Sequence, residues 1–211
     1  MTTSWKSLVA LATAFALLLL AVPGGAFAAK PAPGKTLDNL MAAFNGESNA
    51  HARYLAFAQK ADEEGYGKVA SLFRAAARAE EIHAANHAKV IESLGGTAKA
   101  TIETPDVKTT AENLQAAIAG ESYERDTMYP EFLATARAER NVDAVETFNY
   151  AKSAEAEHAK LYQNALDNLD QMTGAGVTYY VCSVCGFTTT RVDFSKCPSC
   201  FSPKEKYETV A

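Results

Sequence analysis

Cysteine is absent before Cys182 in this 211-residue chain, and the single tryptophan is Trp5. No disulfide can therefore staple the body of the protein. Only two of the seven prolines, Pro105 and Pro130, lie between residues 34 and 197, which leaves room for long helices. Runs of β-branched residues are missing before Val177, while Ala, Leu and Glu are frequent. Both features favour helix. Twenty Lys and Arg stand against 25 Asp and Glu, net −5. No basic patch with interleaved aromatics occurs, which argues against a nucleic-acid partner.

The start reads as a targeting segment. Lys6 precedes an uncharged apolar run from Leu8 to Val22, Pro23-Gly24-Gly25 breaks it, and Ala26-Phe27-Ala28 has the small-x-small form of a cleavage site. The expectation is a signal peptide over 1–28, cleaved after Ala28, then a tether over 29–35 containing Pro31 and Pro33. No twin arginine precedes the run, so the chain is expected to be exported unfolded, to a periplasmic type of compartment. Retained, the run would be a membrane anchor; otherwise no membrane contact is expected. Removal of 1–28 deletes one cation, leaving 19 basic and 25 acidic side chains, net −6.

Residues 36–173 carry four helical patterns. In the first, Leu37, Leu40, Phe44, Glu47, His51, Tyr54, Ala58 and Ala61 recur in threes and fours. The second runs to Leu94 with Val69, Leu72, Phe73, Ala76, Glu80, His83, His87 and Val90 near one stripe, and Gly95-Gly96 stops it. Thr109 and Thr110 offer caps for the third, whose inner face is Leu114, Ala117, Glu121, Glu124 and Met128 before Pro130 interrupts it with a kink. Asn141 caps the fourth, which is expected to reach about Met172. The first and third connections are short, so each pair forms an antiparallel hairpin. The segment from Gly95 to Lys108 can reach about 46 Å at ~3.3 Å per residue. A helix of about 28 residues is ~42 Å long. One crossover can therefore run the bundle's length, which is the ferritin-like arrangement.

Polar residues sit where the stripes require apolar ones. Glu155 and His158, at i and i+3, share a face with Phe148, Ala151 and Tyr162. One Glu-x-x-His is weak evidence on its own. Here it is a copy: Glu80 and His83 of the first hairpin recur in the second as Glu155 and His158. Gly46-Glu47-Ser48 recurs at nearly the same offset as Gly120-Glu121-Ser122. The glutamates Glu47, Glu80, Glu121 and Glu155 fall at matching depth in their helices, so they should meet at mid-height. A Glu from each of two helices with a Glu-x-x-His from each of the other two is a dinuclear carboxylate pattern. Carboxylates with two imidazoles suit iron or manganese. The halves differ at Glu124, whose counterpart is Ala50. An additional carboxylate thus faces His83, and a metal that changes redox state could exchange one for the other. His51 and His87 have no counterparts and are expected to pack or to lie outside the ligand set. Tyr54 and Tyr129 are placed to act either as core aromatics or as hydroxyls bonded to ligand carboxylates.

The tail, 177–211, changes character. Cys182-Ser183-Val184-Cys185 and Cys197-Pro198-Ser199-Cys200 form two C-x-x-C knuckles, separated by Gly186 to Lys196. Export permits disulfides, but the regular spacing favours four thiolates around one ion, zinc or iron. Tyr179, Tyr180, Phe187, Phe194 and Tyr207 are expected to form a small core around it.

These stretches together resemble rubrerythrins, ferritin-like di-iron bundles followed by a rubredoxin-like domain. The stretches that carry the resemblance are Gly46-Glu47-Ser48 to Arg53-Tyr54, Glu80 to His83, Gly120-Glu121 to Met128-Tyr129-Pro130, Glu155 to His158, and both knuckles. The resemblance implies two non-haem irons, with Glu47 and Glu121 terminal, Glu80 and Glu155 bridging, His158 fixed on one iron, and Glu124 and His83 alternating on the other. It implies a single iron on Cys182, Cys185, Cys197 and Cys200. It also implies peroxidase activity that reduces hydrogen peroxide to water, an electron-donor protein, and a head-to-tail homodimer in which one subunit's rubredoxin-like iron serves the other's di-iron site. Two features depart from the family. Phe201 follows the second knuckle where rubredoxins commonly have glycine, and the leader would separate the protein from a cytosolic reductase. Two other functions fit parts of the chain: a ferroxidase or iron-binding ferritin-like protein, and a non-enzymatic zinc-ribbon interaction protein.

Overall fold

The structure, a computed structural model, describes residues 1–2 and 34–211. The expected leader beyond Thr2, and the tether before Gly34, lie outside the described residues. The chain divides into Met1–Pro31 and Ala32–Ala211, and the second unit carries the architecture. Among the described residues, no helix is long and apolar enough to cross a membrane.

Four helical rods form the bundle. The first is α1 (Lys35–Glu63) and the second α2 (Gly67–Ser93). The third is a continuous run of α3 (Thr110–Tyr123), a π-helical turn (Glu124–Met128) and α4 (Tyr129–Ala138). The fourth is α5 (Val142–Asp167). The long segment between α2 and α3 makes the crossover. Thr109 closes a capping box with Glu112 at the start of α3, and the Asn141 side chain accepts from the Ala144 amide to cap α5. Helix α1 starts at Lys35 with no cap of its own. The Glu139 carboxylate, from the end of α4, accepts from the Lys35 and Thr36 amides at 3.0 Å each. A distant acid thus satisfies donors that a local Ser or Asp would ordinarily take.

Two departures from the sequence reading concern helix ends. The fourth helix stops at Asp167, not near Met172, and continues as a 3-10 turn, Leu169–Gln171. Pro130 does not simply kink the third rod. A wide π turn stands immediately before it, and the rod runs on through α4.

The core is split in two along the bundle. One cluster gathers Tyr54, Phe57, Leu72, Phe73, Leu114 and Tyr162. The other gathers Leu40, Ile91, Tyr129, Leu133, Ala144 and Phe148. On each helix the metal-type residues fall between them: Glu47 on α1, Glu80 and His83 on α2, Glu121 on α3, Glu155 and His158 on α5. Apolar packing at both ends thus fixes the polar layer.

The tail forms a small antiparallel sheet ordered β2-β1-β3, with β1 Tyr179–Cys182, β2 Thr188–Thr189 and β3 Tyr207–Val210. It docks on α2. Arg78 grips Glu208 through two bonds of 3.1 and 2.9 Å, and Asn86 donates to the Val184 carbonyl at 2.8 Å. The linker is pinned as well. The Gly174 amide donates to the Gly65 carbonyl (3.1 Å) and the Val177 amide to Ser71 Oγ (3.1 Å). The cysteines pack with Tyr150, Phe187 and Tyr207, and the Phe194 ring packs at a tilt against Tyr207. Tyr179 joins the helical cluster instead of the cysteine core, because β1 lies directly on α2.

Candidate metal centres

Four carboxylates and two imidazoles converge at mid-height. Glu47, Glu80, His83 and Glu155 offer ligand atoms all within 4.8 Å of one another, as do Glu80, Glu121, Glu155 and His158. Glu80 and Glu155 belong to both groups, the position of carboxylates that bridge two ions. All six residues are at most 1% exposed. Many of their inward atoms have no hydrogen-bond partner: Glu47 Oε2, Glu80 Oε1, Glu121 Oε2, both Glu155 oxygens and His158 Nδ1. Each orphaned buried group of this kind costs about 1–3 kcal/mol or more. Two dications would supply the missing partners, so the residues fit a dimetal centre.

The electrostatics describe a site strained by its own charge. Burial, then the neighbouring Glu80, Glu124 and Glu155 carboxylates, push Glu47 well up. Burial and Glu80 carry Glu121 up to about 8. Burial alone would lower His83, but Glu155 and Glu80 beside it more than offset this and carry it to about 10. Burial would raise Glu80, but the His158 and His83 imidazoles beside it hold it well below the usual carboxylate range.

His83 Nδ1 faces this cluster, 2.9 Å from Glu80 Oε2 and 3.1 Å from Glu155 Oε1. Glu124, half-buried, stands outside both four-residue groups. It remains close enough that burial, then Glu121, Glu155 and Glu80, push its carboxyl well up against the opposing charge of Arg53. The arrangement therefore has the histidine, not the additional glutamate, in the four-residue group that contains Glu47.

The tyrosines cross between the halves. Tyr54 of α1 donates to Glu121 Oε1 at 2.6 Å, and Tyr129 of α4 donates to Glu47 Oε1. Burial, then the adjacent carboxylate, raises both phenols well above their ordinary range, so both stay protonated donors. Tyr54 follows Glu47 by seven residues, while Tyr129 follows Glu121 by eight. The additional residue is what the π turn accommodates while returning Tyr129 to the inner face. That offset within the duplication was the available sequence signal for the turn.

His87 lies between Tyr129 (3.1 Å to the hydroxyl) and Thr147 (3.0 Å), and burial lowers it to about 3. It stands directly behind Tyr129. His51 is half-buried against the Ala77 carbonyl at 2.7 Å.

The sequence reading missed what holds the outer edges of the two histidines. His83 Nε2 donates to the Cys185 carbonyl at 3.1 Å. Thr188 Oγ1 donates to the Gly186 carbonyl, so it accepts from His158 Nε2 at 3.0 Å. Both outer N–H groups are thus fixed by the cysteine module, which turns both Nδ1 atoms inward. Gly186 makes this approach feasible: at φ 75°, a Cβ there would fall 2.2 Å from His83 Nε2.

The four cysteines are free and lie together, with Sγ separations of 3.7 Å for Cys182–Cys200 and 3.6 Å for Cys185–Cys197. Disulfide sulfurs stand about 2.05 Å apart. Thiolates at ~2.3 Å from one tetrahedral ion stand about 3.8 Å apart. The spacing fits the ion. Phe201 follows the second knuckle at φ 59°, a left-handed conformation that costs a non-glycine residue about 1–2 kcal/mol.

Bundle, paired carboxylate groups and cysteine cluster define a ferritin-like dinuclear carboxylate protein joined to a rubredoxin-like domain. The rubrerythrin family profile matches residues 38–166, and the chain belongs to that family. It is 42% identical over 179 residues to nigerythrin of Nitratidesulfovibrio vulgaris, covering 84% of this chain and 88% of that protein. It is 39% identical over 175 residues to Rubrerythrin-2 of Clostridium acetobutylicum, covering 82% and 95%. The fully reduced, all-ferrous state of nigerythrin superimposes with a TM-score of 0.77 at 39% identity, covering 87% of this chain and 91% of that one. Bacterioferritin of Desulfovibrio desulfuricans, at 22% identity and TM-score 0.61, shares the fold. The family binds a di-iron site, and the Glu/His and cysteine clusters here fit an iron pair and a rubredoxin-like iron.

Proposed function

We propose that the protein is a peroxidase that reduces hydrogen peroxide to water, with electrons arriving through the cysteine site. The observation that supports this best is the direct hydrogen bond between the Cys185 carbonyl and His83. It joins the two metal centres by one side chain, a link that a ferroxidase does not need and a passive zinc ribbon would not use. Glu47, Glu80, Glu121, Glu155, His83 and His158 are proposed as ligands of the iron pair, with Glu124 exchanging for His83 on oxidation. Cys182, Cys185, Cys197 and Cys200 are proposed to hold the single iron. A ferrous pair supplies the two electrons that cleave the O–O bond. The buried layer excludes bulk water, Tyr54 and Tyr129 hold Glu121 and Glu47 by hydrogen bonds from protons they do not lose, and the cysteine module fixes both imidazoles. In this structure each module covers its own subunit's site, so the electron path proposed here lies within one chain. A homodimer, and export to a periplasmic type of compartment supported by the Leu8 to Val22 run, complete the proposal.

Reduced, iron-loaded protein mixed anaerobically with equimolar peroxide should recover the oxidised spectra of both centres at least about 100-fold faster than with air-saturated buffer. Comparable rates, or turnover of added Fe(II) into a stored mineral, would favour the ferroxidase instead.

Metal removal tests the ligand set. In the metal-free protein His83 and Glu121 titrate near 10 and 8. Raised folded-state values give stability that is lost as pH rises through them. Glu80 and His87 are lowered, so their effects fall below pH 7. The metal-free protein should therefore lose thermal stability between pH 7 and 9. The loaded protein, whose ligands are already deprotonated, should not. Calorimetric melting should show a gap of about 10 °C or more at pH 7, widening towards pH 9.

A further inference from the structure

We propose that the exposed face of the second cysteine knuckle, built from Phe201, Lys196 and Lys204, is the docking surface for an acidic one-electron carrier protein. The inference rests on the reading that electrons enter at the cysteine site. The two knuckles repeat each other in backbone geometry. The Gly186 amide donates to the Cys182 carbonyl (2.8 Å) and the Phe201 amide to the Cys197 carbonyl (3.0 Å), with φ of 75° and 59°. Their surroundings are opposite. Gly186 presses on His83, whereas Phe201 is 71% exposed. The first knuckle thus faces the dimetal site and the second faces outward.

Phe201 adopts a conformation that glycine would take without strain, and its ring gains almost no burial within the chain. A strained backbone with an exposed aromatic ring points to use outside the chain. The nearest ligand is the right one. Cys200 is partly exposed, while Cys182, Cys185 and Cys197 are fully buried, so the shortest route inward from solvent begins beside Phe201.

Charge selects the partner. The module over 177–211 has four basic and three acidic side chains, against 16 and 22 in the remainder. Two of the three acids are engaged, Glu208 by Arg78 and Asp193 by Arg191. Lys196 and Lys204 are exposed, and the Lys204 amide bonds the Ser195 carbonyl at 3.2 Å, drawing the two ends of the knuckle together. An acidic carrier is attracted to this face and repelled by the acidic bundle, which orients it towards Cys200. One electron leaves the reduced carrier and converts the thiolate-held iron from ferric to ferrous, with no bond made or broken.

The test uses the iron-loaded full chain, with a plant-type ferredoxin as the acidic carrier and no peroxide present, so failure of the peroxidase reading does not affect it. Stopped-flow bleaching of the cysteine-site absorption gives the rate with the reduced carrier, and calorimetry gives the Kd of the oxidised carrier. K196E/K204E should slow reduction by about 10-fold or more at low salt and weaken binding in parallel, the difference closing at about 0.3 M salt. F201G should slow reduction by about 3-fold or more while leaving the protein at least as resistant to unfolding. Both variants should keep the wild-type spectrum and midpoint potential. Unchanged rates in both, or a wild-type rate that rises with salt, would overturn the proposal. So would lysine-dependent binding to anionic vesicles with carrier rates unaffected.

Discussion

Alanine at Gly186 is expected to slow electron delivery to the dimetal site by about 100-fold, the scale of a misplacement of about 1 Å. The added Cβ would overlap His83 Nε2 at 2.2 Å and Cδ2 at 2.8 Å. The module must lift away, and the bond from His83 to the Cys185 carbonyl is lost with it. Reoxidation of prereduced protein by peroxide, which needs no delivery, should stay within about 2-fold of wild type. Reduction of the oxidised iron pair by the module should not. Stopped-flow spectra that follow the two centres separately distinguish these steps. Gly174→Ala is the control. It has a similar left-handed φ of 87° but nothing within 4 Å of a new Cβ. It should lose only the cost of the left-handed backbone, about 1–2 kcal/mol, and leave electron delivery intact. Equal slowing in both variants would show that strain, not the His83 contact, is responsible.

Glu155→Ala is expected to empty the dimetal site while sparing the cysteine site. Glu155 belongs to both ligand groups and is 0% exposed, so its loss removes a shared ligand from each position. Metal analysis should fall from about three irons per chain to about one, with the red cysteine-site chromophore retained. Peroxide turnover should drop by about 10³-fold or more, and the stability gain on metal loading should largely vanish. Glu157→Ala, two positions along on the outer face and paired only with Lys160, should change stability by less than about 0.5 kcal/mol and leave metal content alone. Retention of three irons in Glu155→Ala would remove that carboxylate from the ligand set.

Much of the site can be read locally, because its chemistry is written at helical spacing. Glu80 with His83, and Glu155 with His158, are one turn apart on a face that is otherwise apolar, and the duplication doubles the signal. The cysteines are as direct, since C-x-x-C places two sulfurs on one tight turn. The π turn was half legible. Glu124 without a counterpart was visible, and so was the seven-against-eight spacing from glutamate to tyrosine, but Pro130 just beyond reads more simply as a kink. His87 gave no local sign of its role. Only the packing of Tyr129 and Thr147 against it ties this lone histidine, through the Tyr129 hydroxyl, to Glu47.

Periodicity, capping residues and short spacings suffice for the four rods, the single long crossover, the set of buried acids and imidazoles, and the four-thiolate module. Each is specified within a few turns of chain. Contacts between distant segments settle the rest. Glu139 caps α1 from 104 residues away, Tyr54 and Tyr129 each serve the other half's glutamate, and Cys185 and Thr188 hold the outer nitrogens of His83 and His158. The histidine pairings depend on which face of the small sheet settles on α2. That choice is made by summed burial and by the Arg78–Glu208 pair, and it leaves no pattern in any short stretch of residues.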